Sequence, residues 1–92
     1  MTFEELNELI TDNGYEDIPL FKHPSYVDAF IGISDDNRAI YDFDLMVECL
    51  IKEDDIDASS AIEFIEYNTL KALPYYKNPP IIKVTFQTKI RV

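Results

Sequence analysis

Glycine, cysteine, histidine and basic side chains are all scarce in this chain, and each shortage removes a class of function. Two glycines in 92 residues, Gly14 and Gly32, lie too far apart to build a glycine-rich phosphate loop. The single cysteine, Cys49, can form no internal disulfide, which fits a reducing cytoplasm. The lone histidine, His23, precedes Pro24, and nothing in the sequence brings it to Cys49 as base to nucleophile. Both residues read as structural, Cys49 as a small apolar side chain on a helix. No apolar run approaches the roughly 18 to 20 residues that cross a bilayer. The opening MTFEELNELI carries acids where an export signal carries bases, so the expectation is a soluble, cytoplasmic, untargeted chain. Without a nucleophile and base, a distinct carboxylate pair or a cofactor loop, the chain is expected not to be an enzyme and to take no cofactor.

The shortage of bases is the strongest of these signals. Eighteen acids face eight bases, a net charge of −10. Beyond Ile82 there are no acids and three bases, Lys83, Lys89 and Arg91, so residues 1–82 hold 18 acids against 5 bases, a balance of −13. A field of that sign repels nucleic acid and anionic lipid and attracts basic proteins and cations. Direct nucleic-acid binding and membrane attachment are therefore not expected, and the amphipathic helices carry acidic polar faces where a membrane helix would carry basic ones. An acidic surface also serves solubility alone. At 47% apolar, the sequence can still bury a core, and its length fits one domain over residues 1–92.

Periodicity predicts six elements in the order α, β, β, α, α, β. Thr2 and Glu5 have the spacing of a capping box, Phe3, Leu6, Leu9 and Ile10 form an apolar stripe, and Gly14 is placed to end the helix at about residue 12. Residues 26–34 alternate as a strand, with Val27, Ala29, Ile31 and Ile33 on one face and Tyr26, Asp28, Phe30 and Ser34 on the other. A turn at Asp35–Asn37, with Asn37 suited to positive φ, returns the chain as a strand over 38–41. Asp42 or Asp44 caps a second helix that buries Phe43, Met46, Val47, Leu50 and Ile51 and ends in the charged run 52–57. Asp57 caps a third helix, with Ala58, Ala61, Ile62, Ile65, Thr69, Ala72 and Leu73 on one side, stopping before Pro74. Residues 81–86 alternate as a last strand, with a proline-led entry that suits a sheet edge, and 87–92 extend it or fray. The expected fold is a single α+β domain in which the hairpin and the C-terminal strand form a small sheet packed on helices.

Between Asp35 and Glu66 lie eleven acids against Arg38 and Lys52. Such an array imitates the phosphate charges of nucleic acid and can fill a basic groove. Partner binding is therefore expected at Asp54, Asp55, Asp57, Glu63, Phe64, Glu66, Tyr67, Tyr75 and Tyr76, where aromatic side chains adjoin the acids. On a helical projection Phe64 and Tyr67 lie opposite Ile65 and Thr69, either covered by the first helix or the 75–80 loop, or exposed beside Glu63 and Glu66. One alternative is calcium: on the EF-hand loop, Asp55, Asp57, Ser59 and Glu66 take ligand positions 1, 3, 5 and 12, although Ser60 stands where that loop needs glycine. Another is a homo-oligomer joined through surface aromatics. Oligomeric state stays open.

The passages ProSerTyr (24–26), IleTyrAspPheAsp (40–44), AlaIleGluPheIleGluTyrAsnThrLeuLysAlaLeuPro (61–74) and ProProIleIle (79–82) resemble short acidic hypothetical proteins of gut-dwelling Gram-positive bacteria and their prophages. The likeness covers most of residues 2–82, and the basic tail departs from the acidic ending of that set. No established activity attaches to the family, so no site residue is carried over. The resemblance implies a bacterial cytoplasmic setting that includes mobile elements, where small acidic inhibitors of nucleic-acid-binding proteins occur.

Overall fold

The computed structural model describes residues 1–84, and within them the order α, β, β, α, α, β holds. Helix α1 spans Phe3–Asp12. Its N-terminus carries the capping box: the Thr2 hydroxyl accepts from the Glu5 N–H at 3.1 Å, and the Glu5 carboxylate accepts from the Thr2 N–H at 2.7 Å. Its end is a left-handed cap at Gly14, φ 91°, where the Tyr15 N–H donates to the Ile10 carbonyl and the Gly14 N–H to that of Thr11. Leu6 and Ile10 are buried, one turn apart on the core side.

The first correction falls on residues 26–29. They are not strand but part of a 3-10 helix over Pro24–Ala29, which leaves strand β1 only Phe30–Ile33. The cause is local: a proline at the first helical turn is preorganised for it, and the His23 Nδ1 accepts from the Ser25 N–H at 3.3 Å. With three residues per turn, Tyr26 and Ala29 fall on one buried face, which alternation by twos conceals. Strand β2, Ala39–Asp42, runs antiparallel to β1 and begins and ends one residue later than expected. A bulge between Phe30 and Gly32 breaks the register, and Ile31, expected on one face with Val27 and Ala29, is 46% exposed while those two are buried. Asn37 takes φ 61° in the hairpin turn, as expected of it.

Asp42 closes β2 and caps helix α2, Phe43–Asp54, its carboxylate accepting from the Leu45 N–H at 2.9 Å. The buried face of α2 is Met46, Cys49 and Leu50, turned toward Cys49 relative to the expected stripe, with Ile51 left exposed. Asp55, in the left-handed conformation at φ 54°, ends it. Helix α3 covers Ala58–Phe64 with Asp57 as its cap. The spiral then widens into a π turn over Ile65–Thr69 and tightens into a 3-10 helix over Leu70–Tyr75, so it runs through Pro74 rather than stopping before it. Proline is compatible with the tight end because Pro74 lacks only a donor there, and the following Tyr76 N–H closes the turn on the Leu73 carbonyl at 3.0 Å. Ile62, expected in the core, is 37% exposed, whereas Ala61 and Ile65 are buried.

Strand β3, Ile81–Lys83, pairs in parallel with β2 and forms one edge of a three-stranded sheet in the order β1, β2, β3. The expected strand residues Thr85 and Phe86, and the tail 87–92, lie outside the described residues. Tyr41 at the sheet centre ties the layers together. Its ring packs 4.7 Å from that of Phe21, its hydroxyl accepts from the Phe21 N–H at 3.2 Å, and burial pushes its phenol up to about 12. The same core holds Leu6 and Ile10 from α1, Tyr26 and Ala29 from the 3-10 helix, and Met46 and Leu50 from α2.

Candidate functional site

The turn between α2 and α3 concentrates charge because two caps meet there. Asp57 Oδ1 accepts from the Ser60 N–H at 2.7 Å, which holds its carboxyl below the usual range. A carboxylate at that place answers the positive end of α3 and fixes where the helix begins. Residues 58–64 are consequently helical, and the segment that the calcium alternative needs as an ion-wrapping loop is a cap followed by a helix. Ser59 and Glu66 point to solvent along that helical path. Among the described residues there is no cluster of three or more His, Cys, Asp or Glu side chains able to hold a metal.

Ten of the eleven acids from Asp35 to Glu66 are exposed; Asp42, the cap of α2, is the buried one. Two of them adjoin a base: Asp36 lies 3.6 Å from Arg38 and Asp54 3.6 Å from His23 Nε2. Arg38 is further engaged by the Pro79 carbonyl at 2.7 Å, which fixes it against the sheet edge rather than over the acidic turn. The acidic field of α2 and α3 is thus mostly turned outward.

Asp54 meets this field's one histidine neighbour, His23, which belongs to a cluster of aromatic side chains. Its Oδ1 accepts from the Ser25 hydroxyl at 3.3 Å while Oδ2 faces His23. Because His23 Nδ1 accepts from the Ser25 N–H, a neutral ring carries its proton on Nε2, toward the carboxylate. His23 in turn packs 5.0 Å from Tyr26 and edge-on to Phe64 at 5.5 Å, with 79° between the planes. Phe21, Tyr76 and Asn68 complete an open cleft of about 220 Å³, with Lys22 on its rim. Phe21 and Tyr76 also meet nearly at right angles, 88°, at 6.0 Å. A larger open cleft of about 620 Å³ lies between α1 and the 15–22 segment and shares Tyr76 and Lys22 with the first. Its lining joins Phe3, Tyr15 and Tyr76 to the solvent-exposed polar side chains of Asn7, Thr11, Glu16 and Asp17.

The nine residues expected to bind a partner therefore divide. Phe64 and Tyr76 line the aromatic cleft; Asp54 lies outside its lining, 3.6 Å from His23 Nε2, and Asp55, Asp57, Glu63 and Glu66 lie on the exposed acidic surface. Phe64 is half-buried, its ring covered by His23 rather than by α1 or the 75–80 loop. Tyr67 is 62% exposed, with the Lys71 ammonium 4.7 Å above its ring, and Tyr75 is 89% exposed, away from the cleft. In the sequence Phe21 carries no signal, Tyr26 reads as a strand residue and His23 as structural. The detectable signal was HisPro followed by Ser, a cap and first-turn proline, which makes His23 an organised residue instead of a loop residue. No described helix is long and apolar enough to cross a membrane. Compared with protein-family models, with curated proteins and with solved structures, the chain matches none.

Proposed function

We propose that this chain is a small, non-enzymatic binding module that engages a basic protein surface through the acidic face of α2 and α3, in the manner of an inhibitor or accessory factor of a nucleic-acid-binding protein. One observation carries the reading: ten of eleven carboxylates between Asp35 and Glu66 are exposed, in a span with two bases of which Arg38 is held at the sheet edge. Carboxylates at that density focus a field that speeds encounter with a cationic partner and selects against anionic ones. The resemblance to acidic prophage proteins fits this setting by analogy.

Titration with poly-arginine, followed by calorimetry at low and high salt, tests the reading. Binding is expected to weaken steeply with salt. A variant carrying Asp55→Asn, Glu63→Gln and Glu66→Gln is expected to lose most of it, whereas neutralising Glu4, Glu8 and Asp12 on α1 to the same total charge is expected to leave it nearly intact. Equal losses in both variants mean that net charge alone acts, and the reading then fails. A second reading, self-association, draws on the apolar cleft of about 260 Å³ formed by Leu9, Tyr15, Phe30 and Ile33 beside exposed Ile31. The salt response separates the two, because association of like-charged copies strengthens as salt rises. Sedimentation of a monomer at high protein and salt concentration removes the second reading.

A further inference from the structure

His23 is the only histidine in the chain, and histidine is the side chain whose charge ordinarily changes between about pH 5 and 8. Both of its ring nitrogens are engaged, by groups that favour opposite protonation states. Nδ1 accepts from the Ser25 N–H at 3.3 Å, in the first turn of the 3-10 helix Pro24–Ala29, and in that contact carries no proton. Nε2 faces Asp54 Oδ2 at 3.6 Å, where a positive ring is favoured. Asp54 is the last residue of α2, and its Oδ1 already holds the Ser25 hydroxyl at 3.3 Å. One carboxylate thus touches both residues that the Nδ1 contact joins. Tyr26, from the 3-10 helix, lies tilted 33° to the imidazole at 5.0 Å, and Phe64, from α3, meets it edge-on at 5.5 Å. Asn68, Thr69 and Tyr76 line the same cleft, and phenols and amides stay uncharged in this pH range. Lys22 is the one cation in that lining; it is exposed, and its long stem lets the ammonium keep to water. Asp54 is therefore the charge that answers a protonated His23.

We infer that His23 is a proton-operated clasp: uncharged, it caps the first turn of the 3-10 helix through the Ser25 N–H; protonated, it leaves that N–H and grips the carboxylate at the end of α2. The exchange follows from the donor count. A protonated imidazole donates from both nitrogens, so Nδ1–H and the Ser25 N–H become two donors facing each other, and the bond between them is lost. The same proton puts a positive charge beside Asp54. A charge-assisted bond to Oδ2 favours roughly 2.7–2.9 Å, well inside the present 3.6 Å, so the ring is drawn toward α2 and away from Ser25. Because His23 lines the cleft with Phe64 and Tyr76, its swing changes the shape of that cleft. The His23 and Asp54 side chains are 30% and 37% exposed, so water screens the pair and its strength is that of a surface ion pair. A weak grip keeps the two arrangements close in energy, and one proton selects between them. The clasp stands apart from the binding-module reading and holds or fails without it.

The test follows the full chain by NMR of the His23 ring nitrogens, the backbone amides and the Phe64 ring between about pH 8 and pH 5. At the upper end the ring is expected as the Nε2–H tautomer. On acidification the Ser25 amide proton is expected to move upfield, as a donor does on losing its acceptor, with the same midpoint as the ring nitrogens. The Phe64 ring resonances are expected to follow the same midpoint. Asp54→Asn is expected to keep the tautomer, because Ser25 sets it, and to lose most of the Phe64 response, because the ring is no longer drawn to α2. A double-mutant cycle of His23→Gln and Asp54→Asn in urea reads the grip itself. Coupling of about twofold to fivefold in the unfolding constant is expected at about pH 5, and none at about pH 8. An Nδ1–H tautomer at high pH, or a Ser25 amide that stays fixed while His23 titrates, overturns the clasp. So does a Phe64 response as large in Asp54→Asn as in the wild type. Equal coupling at both pH values overturns it as well, since the tie to α2 would then owe nothing to the proton.

Discussion

The Tyr26 hydroxyl meets that of Thr69 at 2.9 Å, joining residues 43 apart in sequence inside the core. Tyr26 is 1% exposed and Thr69 8%, so neither group has water as a substitute partner. The bond locks the 3-10 helix after His23 to the π turn after α3. Burial raises the Tyr26 phenol above its usual value, with the Thr69 hydroxyl acting the other way.

Removing both hydroxyls should cost less than the two single losses added together. Tyr26→Phe or Thr69→Val leaves a buried hydroxyl unpaired, a loss of about 1–2 kcal/mol. For a domain of this size that corresponds to a melting temperature lower by roughly 5–15 °C. The double variant is expected to be less destabilised than the sum of the singles by about 1 kcal/mol. Urea denaturation of the four proteins measures the cycle. Additive losses would mean that the two hydroxyls do not share a bond in solution.

Acid should loosen the cap of α3. The Asp57 carboxyl is held below its usual value, first by the Ser60 N–H and then by the Ser60 side chain. A group depressed in the folded state contributes stability that is fully present above its unfolded value, about 3.9, and is lost as pH falls through the folded one. Asp57→Asn keeps a capping oxygen but cannot titrate. The wild-type chain is therefore expected to lose stability relative to Asp57→Asn as pH drops below about 4, with little pH dependence of the difference near neutrality. Parallel pH-dependent melts of both proteins read this out. A constant difference across the acid range would show that the cap does not depend on charge.

The features legible in the sequence are those set by neighbours a few residues apart. Thr2 with Glu5, Gly14, Asn37 and Asp57 each act through a backbone group within about four residues, and each appears where expected. Errors arose where two local solutions share one pattern. Tyr26–Ala29 alternates like a strand, yet its HisPro entry favours a tight helix, and the bulge at Ile31 breaks alternation from within β1. Pro74 ends an α-helix but is accommodated once the spiral has tightened. The parallel pairing of β2 with β3, and the meeting of His23 with Asp54 and Phe64, depend on chain reversals whose geometry has no signature of its own. The acids, Phe64 and Tyr76 were named from the sequence, whereas their neighbours Phe21, His23 and Tyr26 come to them only in three dimensions.

Cys49 should behave as a packing residue. It lies on the buried face of α2 at 9% exposure, and burial pushes its thiol up, with Asp28, Glu53 and Glu48 acting in the same direction and Lys52 against them. Thiolate is the reactive form, so both access and ionisation are suppressed. Labelling by a disulfide reagent at neutral pH is expected to be at least about tenfold slower in the native protein than in denaturant. Equal rates would place the thiol at an open surface and remove α2 from the core arrangement described.

Phe64 and Tyr67 are three residues apart and should differ in what they do for the fold. Phe64 is half-buried under His23, so Phe64→Ala removes both apolar burial and an edge-to-face ring contact, an expected loss of about 1–2 kcal/mol. Tyr67 is 62% exposed and touches Lys71, so Tyr67→Ala should change stability by no more than about 0.5 kcal/mol. Urea midpoints of the two variants make the comparison, with Tyr75→Ala as a second exposed control. A loss at Tyr67 as large as that at Phe64 would mean that its ring is covered in solution, either by another part of the chain or by a second copy. Only in the second case would the loss grow with protein concentration, because association stabilises the folded state by mass action. An unchanged stability at Tyr67 leaves that exposed ring free to meet a partner.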